Sequence, residues 1–161
     1  MYDTLIEKSE VEEVTAVLAH ELGHWSKNHT TQSLVISQVN IFAIFALFSA
    51  FVYNKSIYRA FGFGDEMPVL IGFVLFNDVF QPFESVIGFL MNMLSRKNEF
   101  EADAFAKELG YSDELARALI NLQVDNLSAM NADKWYSAFH YSHPILAERL
   151  AAIGYKSGKA A

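Results

Sequence analysis

The run Leu34 to Tyr53, LVISQVNIFAIFALFSAFVY, carries no charged residue over twenty positions. A helix rising about 1.5 Å per residue needs about twenty apolar residues to cross the hydrocarbon core of a bilayer. A second apolar stretch, Pro68 to Leu94, is longer and is interrupted by Asn77, Asp78, Gln81, Pro82 and Glu84. Membrane helices carry such residues where they face protein or a water-filled cavity. The link from Asn54 to Met67 is short and turn-rich, with Gly62, Gly64 and Asp65. Together these segments predict a helical hairpin that spans a membrane. The competing expectation is a hairpin buried in a large soluble helical core.

The flanks read as amphipathic helices. Over residues 10–28, Val11, Val14, Leu18, Leu22 and Trp25 recur at helical steps, with Glu13, Val17, His20, His24 and Asn28 along another face. Ser9 and Glu12 fit a capping box. A helix from Arg96 to Leu109 is predicted to end at Gly110. Ser112 is predicted to cap a helix from Asp113 to Leu127. A short helix is placed at Trp135 to Tyr141. Pro144 is read as the first position of a helix that stops at Gly154. No strand-like alternation appears, so the fold class is all-α. The expected organisation is a zinc-motif helix with its lead-in (1–33), the apolar hairpin (34–94) and a second helical segment (95–161), forming one catalytic unit.

Composition removes several function classes. The chain has no cysteine, which excludes a disulfide framework, a thiolate metal site and a cysteine nucleophile. A net charge of -7 argues against a nucleic-acid surface. Hydrophobic residues make up 52 %, with 14 Phe, concentrated in the hairpin. Met1 is followed by no basic and apolar leader pattern, so no signal peptide is predicted.

The chemistry is concentrated in His20-Glu21-Leu22-Gly23-His24. Residues four apart on a helix lie one above the other, so both imidazoles can reach one zinc ion. Glu21 is about 100° round from His20, which sets its carboxylate beside a water at the metal, as general base. Gly23 weakens a helix by about 1 kcal/mol against Ala, and it leaves room over the metal-bearing face or for a close neighbour. His29, five after His24, is read as a polar helix-end residue off the ligand face.

A catalytic zinc needs a third protein ligand. Glu99 and Asp103 are four apart and share a face, while Glu101 points elsewhere. One of the pair can bind the metal while the other accepts the spare N–H of a ligand His. In His140-Tyr141-Ser142-His143-Pro144, the residue before Pro is pushed towards extended backbone, which would hold the His143 ring towards a cleft as an oxyanion donor. A helix starting at Pro144 would keep that ring neutral. His140 is an alternative metal ligand. Arg149 is expected either to pair with an acidic residue near the site or to lie on the surface.

These strings, taken in order, resemble the integral-membrane CAAX prenyl endopeptidases. The matching segments are Tyr2 to Glu7, Val17 to Trp25, Ser95-Arg96 with Glu99 to Lys107, and His140 to Pro144 with Glu148-Arg149-Leu150. The resemblance implies a mostly helical, gluzincin-type zinc metallopeptidase of the endoplasmic reticulum and inner nuclear membrane. It implies one Zn2+ held by His20, His24 and Glu99, with Asp103 behind the ligands and His143 at the catalytic site. The implied substrate is a protein ending in an isoprenylated CAAX sequence, cleaved to release the last three residues. Members of that family carry several membrane helices before this region. The chain is therefore expected to be a C-terminal catalytic part, with the bilayer and the N-terminal membrane half as its partners. Two alternatives are an HtpX-like quality-control protease and, for an isolated fragment, an inactive zinc-stabilised helical module.

Overall fold

The computed structural model describes residues 9–126 and 132–156, and every regular element among them is a helix. The expectation of an all-α chain therefore holds. The string Tyr2 to Glu7, the predicted helix end at Leu127 and the tail beyond Lys156 lie outside the described residues.

Helix α1 (Val11–Ser26) is shorter than expected and starts from Glu10, with no side-chain cap. Ser9 is thereby one residue out of register, and the predicted capping box with Glu12 does not form. Lys27 and Asn28 close the helix, and Asn28 has φ +58, a left-handed conformation that Asn tolerates better than most residues. Helix α2 (His29–Val52) begins immediately afterwards. The link to the next long segment contains a short helix, α3 (Lys55–Ala60), whose N-terminus is capped by the Asn54 side chain accepting from Ser56 N at 3.0 Å.

Helix α4 (Val69–Glu108) is one element of 40 residues, where two helices were expected. Ser95-Arg96-Lys97-Asn98 contains neither Gly nor Pro, so nothing stops propagation there, and Pro82 sits inside the helix without ending it. At about 1.5 Å per residue α4 is about 60 Å long. Its end does match expectation. Gly110, at φ +91, donates to Lys107 O at 2.9 Å and Tyr111 donates to Ala106 O at 3.1 Å, the paired bonds of a left-handed helix stop.

Three helices follow: α5 (Ser112–Asp125), α6 (Lys134–His140) and α7 (Leu146–Ile153). Ser112 is the first residue of α5 rather than its cap, because Tyr111 occupies the cap position. Asp133 caps α6, accepting from Trp135 N at 2.9 Å and Tyr136 N at 3.1 Å. Pro144 lies outside α7, which starts two residues later. Glu148 accepts from Ile145 N at 3.2 Å and so holds that start.

The chain divides into two compact units, one formed by residues up to Thr30 and from Phe89 onward, the other by Thr31–Gly88. The core of the first joins Ala16 and Ala19 of α1, Ala106 of α4, Leu115, Ala116 and Leu119 of α5, and Leu146 and Ile153 of α7. Small residues let the helix backbones approach closely. A Cβ added at Gly23 would stand 3.0 Å from Ala102 Cα and 3.1 Å from Phe105 Cβ, so α1 and α4 meet where any side chain would require a neighbour to give by some tenths of an ångström. The apolar stripe of α1 is not part of this core: Val11, Leu18, Leu22 and Trp25 are exposed. The face that packs is the other one, carrying Glu13, Ala16, Ala19, His20 and Gly23.

The second unit has an aromatic core of Phe51, Tyr58, Leu75, Phe76 and Phe80. Phe48 and Phe51 both meet Phe76 edge-on, with centroids 5.4 Å apart, an arrangement aromatic quadrupoles favour. The outer positions of α2, among them Val39, Phe42 and Phe45, are exposed. Both α2 and α4 are long and apolar enough to cross a membrane. Only 6 % of the apolar window of α2 is buried by the rest of the chain, far less than the core helix of a soluble domain would show.

Candidate metal centre

Because His20 and His24 are one turn apart on α1, their rings stack along one face, and Nε2 of His24 lies 3.2 Å from Nε2 of His20. Across the Gly23–Ala102 contact, α4 presents Glu99. Its Oε2 is 3.7 Å from His20 Nε2 and its Oε1 is 3.5 Å from His24 Nε2. His20 and Glu99 are buried and His24 is half-buried. These three side chains form the group among the described residues that could hold a metal ion.

The tautomer of His20 can be read from its surroundings. Asp103, fully buried, places Oδ1 2.9 Å from His20 Nδ1. A carboxylate only accepts, so the ring proton sits on Nδ1 and Nε2 keeps its lone pair. Arg149 Nη2 also lies 3.4 Å from that Nδ1, but the shorter carboxylate contact decides the proton's position. Arg149 binds Asp103 in fork fashion, Nε to Oδ2 at 2.8 Å and Nη2 to Oδ1 at 2.6 Å. Its third nitrogen, Nη1, is 3.3 Å from Glu99 Oε2. Of the two expectations for Arg149, the structure shows the acidic partner.

The donor set fits a cation. The lone pair on His20 Nε2, the facing His24 Nε2 and a carboxylate all point inward, the two-imidazole and carboxylate set that suits a zinc ion. A tetrahedral ion with bonds of about 2.0–2.1 Å spaces its ligand atoms about 3.3–3.4 Å apart. The separations here are 3.2, 3.5 and 3.7 Å, the last two measured to different oxygens of Glu99. Burial, followed by the neighbouring His20, pushes His24 below its ordinary pKa, which favours the neutral ring that binds metal.

The group opens into a cleft of about 650 Å³, lined also by the exposed Glu21, by His143 and by Arg149. His143 Nδ1 is 3.1 Å from Glu99 Oε1. That contact raises the His143 pKa, outweighing burial and Arg149. His140 is not in the group. It stacks on Tyr136, with centroids 4.4 Å apart, and touches Phe139.

Two features were not read from the sequence. Arg96, buried on α4, donates to Ser137 Oγ at 2.8 Å, to the His143 carbonyl at 3.2 Å and to Glu148 Oε2 at 2.6 Å. It thus ties the segment bearing His143 to both flanking helices. His29 is a helix-end residue, as expected, since it opens α2, but it is buried there beside His24. A buried charge needs partners, but which ones Arg96 finds depends on chain reversals that local pattern does not specify.

The model of the family described as Peptidase family M48 matches residues 1–157. The chain is 48 % identical over 173 residues to CAAX prenyl protease 1 of Saccharomyces cerevisiae, covering 99 % of this chain and 38 % of the yeast protein. It is 49 % identical over 143 residues to the CAAX prenyl protease 1 homolog of Homo sapiens, covering 88 % of this chain and 30 % of the human protein. The crystal structure of S. mikatae Ste24p superposes with a TM-score of 0.83 at 48 % identity, covering 96 % of this chain and 39 % of that one. The chain therefore spans about two fifths or less of the length of these relatives.

Proposed function

The chain belongs to peptidase family M48, and on that premise we propose that it carries the catalytic centre of a zinc endopeptidase acting on isoprenylated CAAX proteins. The reaction is removal of the three residues that follow the prenylated cysteine. The observation that carries this reading is the convergence of His20, His24 and Glu99 in one cleft with Glu21. The names of the relatives supply the substrate class. The exposed apolar faces of α2 and α4 support a bilayer around Thr31–Gly88, with the N-terminal membrane half of a longer protein beside it. The endoplasmic reticulum and inner nuclear membrane are the compartments that the resemblance to the CAAX prenyl endopeptidases implies.

In this reading His20, His24 and Glu99 hold the metal, and Asp103 fixes the His20 ring through Nδ1. Bound zinc supplies Lewis acidity, lowering the pKa of a water molecule and polarising the scissile carbonyl. Glu21, one position round the helix from His20, takes a proton from the attacking water and later passes it to the leaving amine. His143, whose Nδ1 lies 3.1 Å from Glu99 Oε1 in the same cleft, supplies a ring N–H to the oxyanion of the tetrahedral intermediate. Arg149 and Asp103 keep both carboxylates in place while charge moves.

Substrate class is tested by giving the protein in detergent a farnesylated CAAX peptide and its unprenylated counterpart. Release of the C-terminal tripeptide is expected from the farnesylated peptide, with little from the other. Equal rates would replace this reading with a quality-control protease of the HtpX type. A second measurement concerns His143. Losing one oxyanion donor costs about a hundredfold to a thousandfold in kcat. His143→Ala is expected to lose activity on that scale with its zinc retained, whereas His140→Ala, outside the donor group, is expected to be milder. Loss of zinc from His143→Ala would make that residue a ligand.

A further inference from the structure

We propose that His29 is a positioning residue for the metal site, fixing the tautomer and orientation of the His24 ring, with Glu101 as its far anchor. The inference rests on the zinc reading above and extends it to residues outside the donor group. His29 is 4 % exposed, and its Nδ1 lies 3.1 Å from His24 Nδ1. Its other nitrogen, Nε2, lies 3.0 Å from Glu101 Oε2. The two imidazoles meet edge-on, with centroids 5.1 Å apart.

The proton positions follow from the far end inward. Glu101 can only accept, so the proton of a neutral His29 sits on Nε2 and its Nδ1 is a lone pair. That lone pair faces His24 Nδ1 and is satisfied when the His24 proton sits there. His24 Nε2 is then free of hydrogen and faces His20 and Glu99. One carboxylate thus selects the metal-binding tautomer of a ring it never touches, through a second ring. Asp103 does the same for His20 directly. Each imidazole of the site then has its outer nitrogen held by a partner, as ligand histidines require.

A break in the helix makes this contact possible. Along an unbroken helix, residues five apart are about 140° from each other and do not meet. Here α1 stops at Ser26, and Asn28 at φ +58 turns the chain so that α2 opens with His29 folded back on His24. Glu101, two residues along α4 from Glu99, completes the line and is further held by Lys97 at 3.5 Å.

The test uses zinc affinity by chelator competition and the visible spectrum of the Co2+-loaded protein, both in detergent. His29→Leu keeps an apolar filler and removes both nitrogens. His29→Gln keeps one acceptor for His24 and one donor for Glu101. Loss of an outer partner of a ligand histidine costs about tenfold to a hundredfold in metal affinity. His29→Leu is expected to lose zinc affinity on that scale and to shift the cobalt spectrum, with His29→Gln close to the unsubstituted protein in both. Unchanged affinity and spectrum in His29→Leu overturn the proposal, as does a His29→Gln variant as weak as His29→Leu, which would make bulk or direct ligation the requirement. An unsubstituted protein that takes up no zinc overturns the metal reading itself, a result distinct from these.

Discussion

Glu21→Gln is expected to keep its zinc and lose peptide hydrolysis. Glu21 is not one of the three converging donors, and its side chain stands exposed in the cleft beside them. The amide has nearly the same shape and can still hydrogen-bond a water molecule, but it cannot take that molecule's proton. Positioned general bases contribute about a hundredfold to ten-thousandfold, and here the same group also protonates the leaving amine, so the upper part of that range is expected. The measurement is turnover of a prenylated peptide alongside metal content. Full activity in a zinc-loaded Glu21→Gln protein would rule out the base role, and loss of zinc would instead place Glu21 among the ligands.

Glu99→Ala is expected to have the largest effect on the metal. Among the described residues it removes the one carboxylate that faces the Nε2 atoms of both His20 and His24, leaving two imidazoles where a catalytic zinc takes three protein ligands. It also leaves Arg149 and His143 facing the vacated position with no anion between them. Zinc affinity should fall by well over the tenfold to hundredfold typical of an outer partner. Glu101→Ala acts only through His29, and the partly exposed position lets water replace the carboxylate, so about tenfold is its expected limit. Chelator competition on both variants decides the assignment. A Glu101→Ala protein weaker than Glu99→Ala would mean that the two acidic residues have been given each other's roles.

How much of this was legible in the sequence depends on how local each feature is. The facing of His20 and His24, and of Glu99 and Asp103, follows from the four-residue helical step alone, and the structure brings these four side chains together. The all-α class and the stop at Gly110 are equally local. Helix starts were missed by one or two residues at Ser9, Ser112 and Pro144, because these helices start from Glu10, Tyr111 and Ile145, none of which makes the side-chain cap bond that a sequence pattern can signal. The stripe of Val11, Leu18, Leu22 and Trp25 has the periodicity of a buried face, yet the alanine face is buried instead. Periodicity reports amphipathicity and not which neighbour is available. His29 was placed off the ligand face on the assumption that the helix continued to Asn28. The left-handed residue that ends it sooner brings two rings together that helical geometry keeps apart.

The contact at Gly23 has a bearing on how far apart the donor side chains are held. Ala102 Cα and Phe105 Cβ leave no space for a methyl group there, and a backbone atom cannot swing aside as a side-chain tip can. Any larger residue must push α1 and α4 apart by some tenths of an ångström, and the histidines and Glu99 ride on those two backbones. The spacing of the two backbones that carry the histidines and Glu99 is thus held at a position that contributes no side chain of its own.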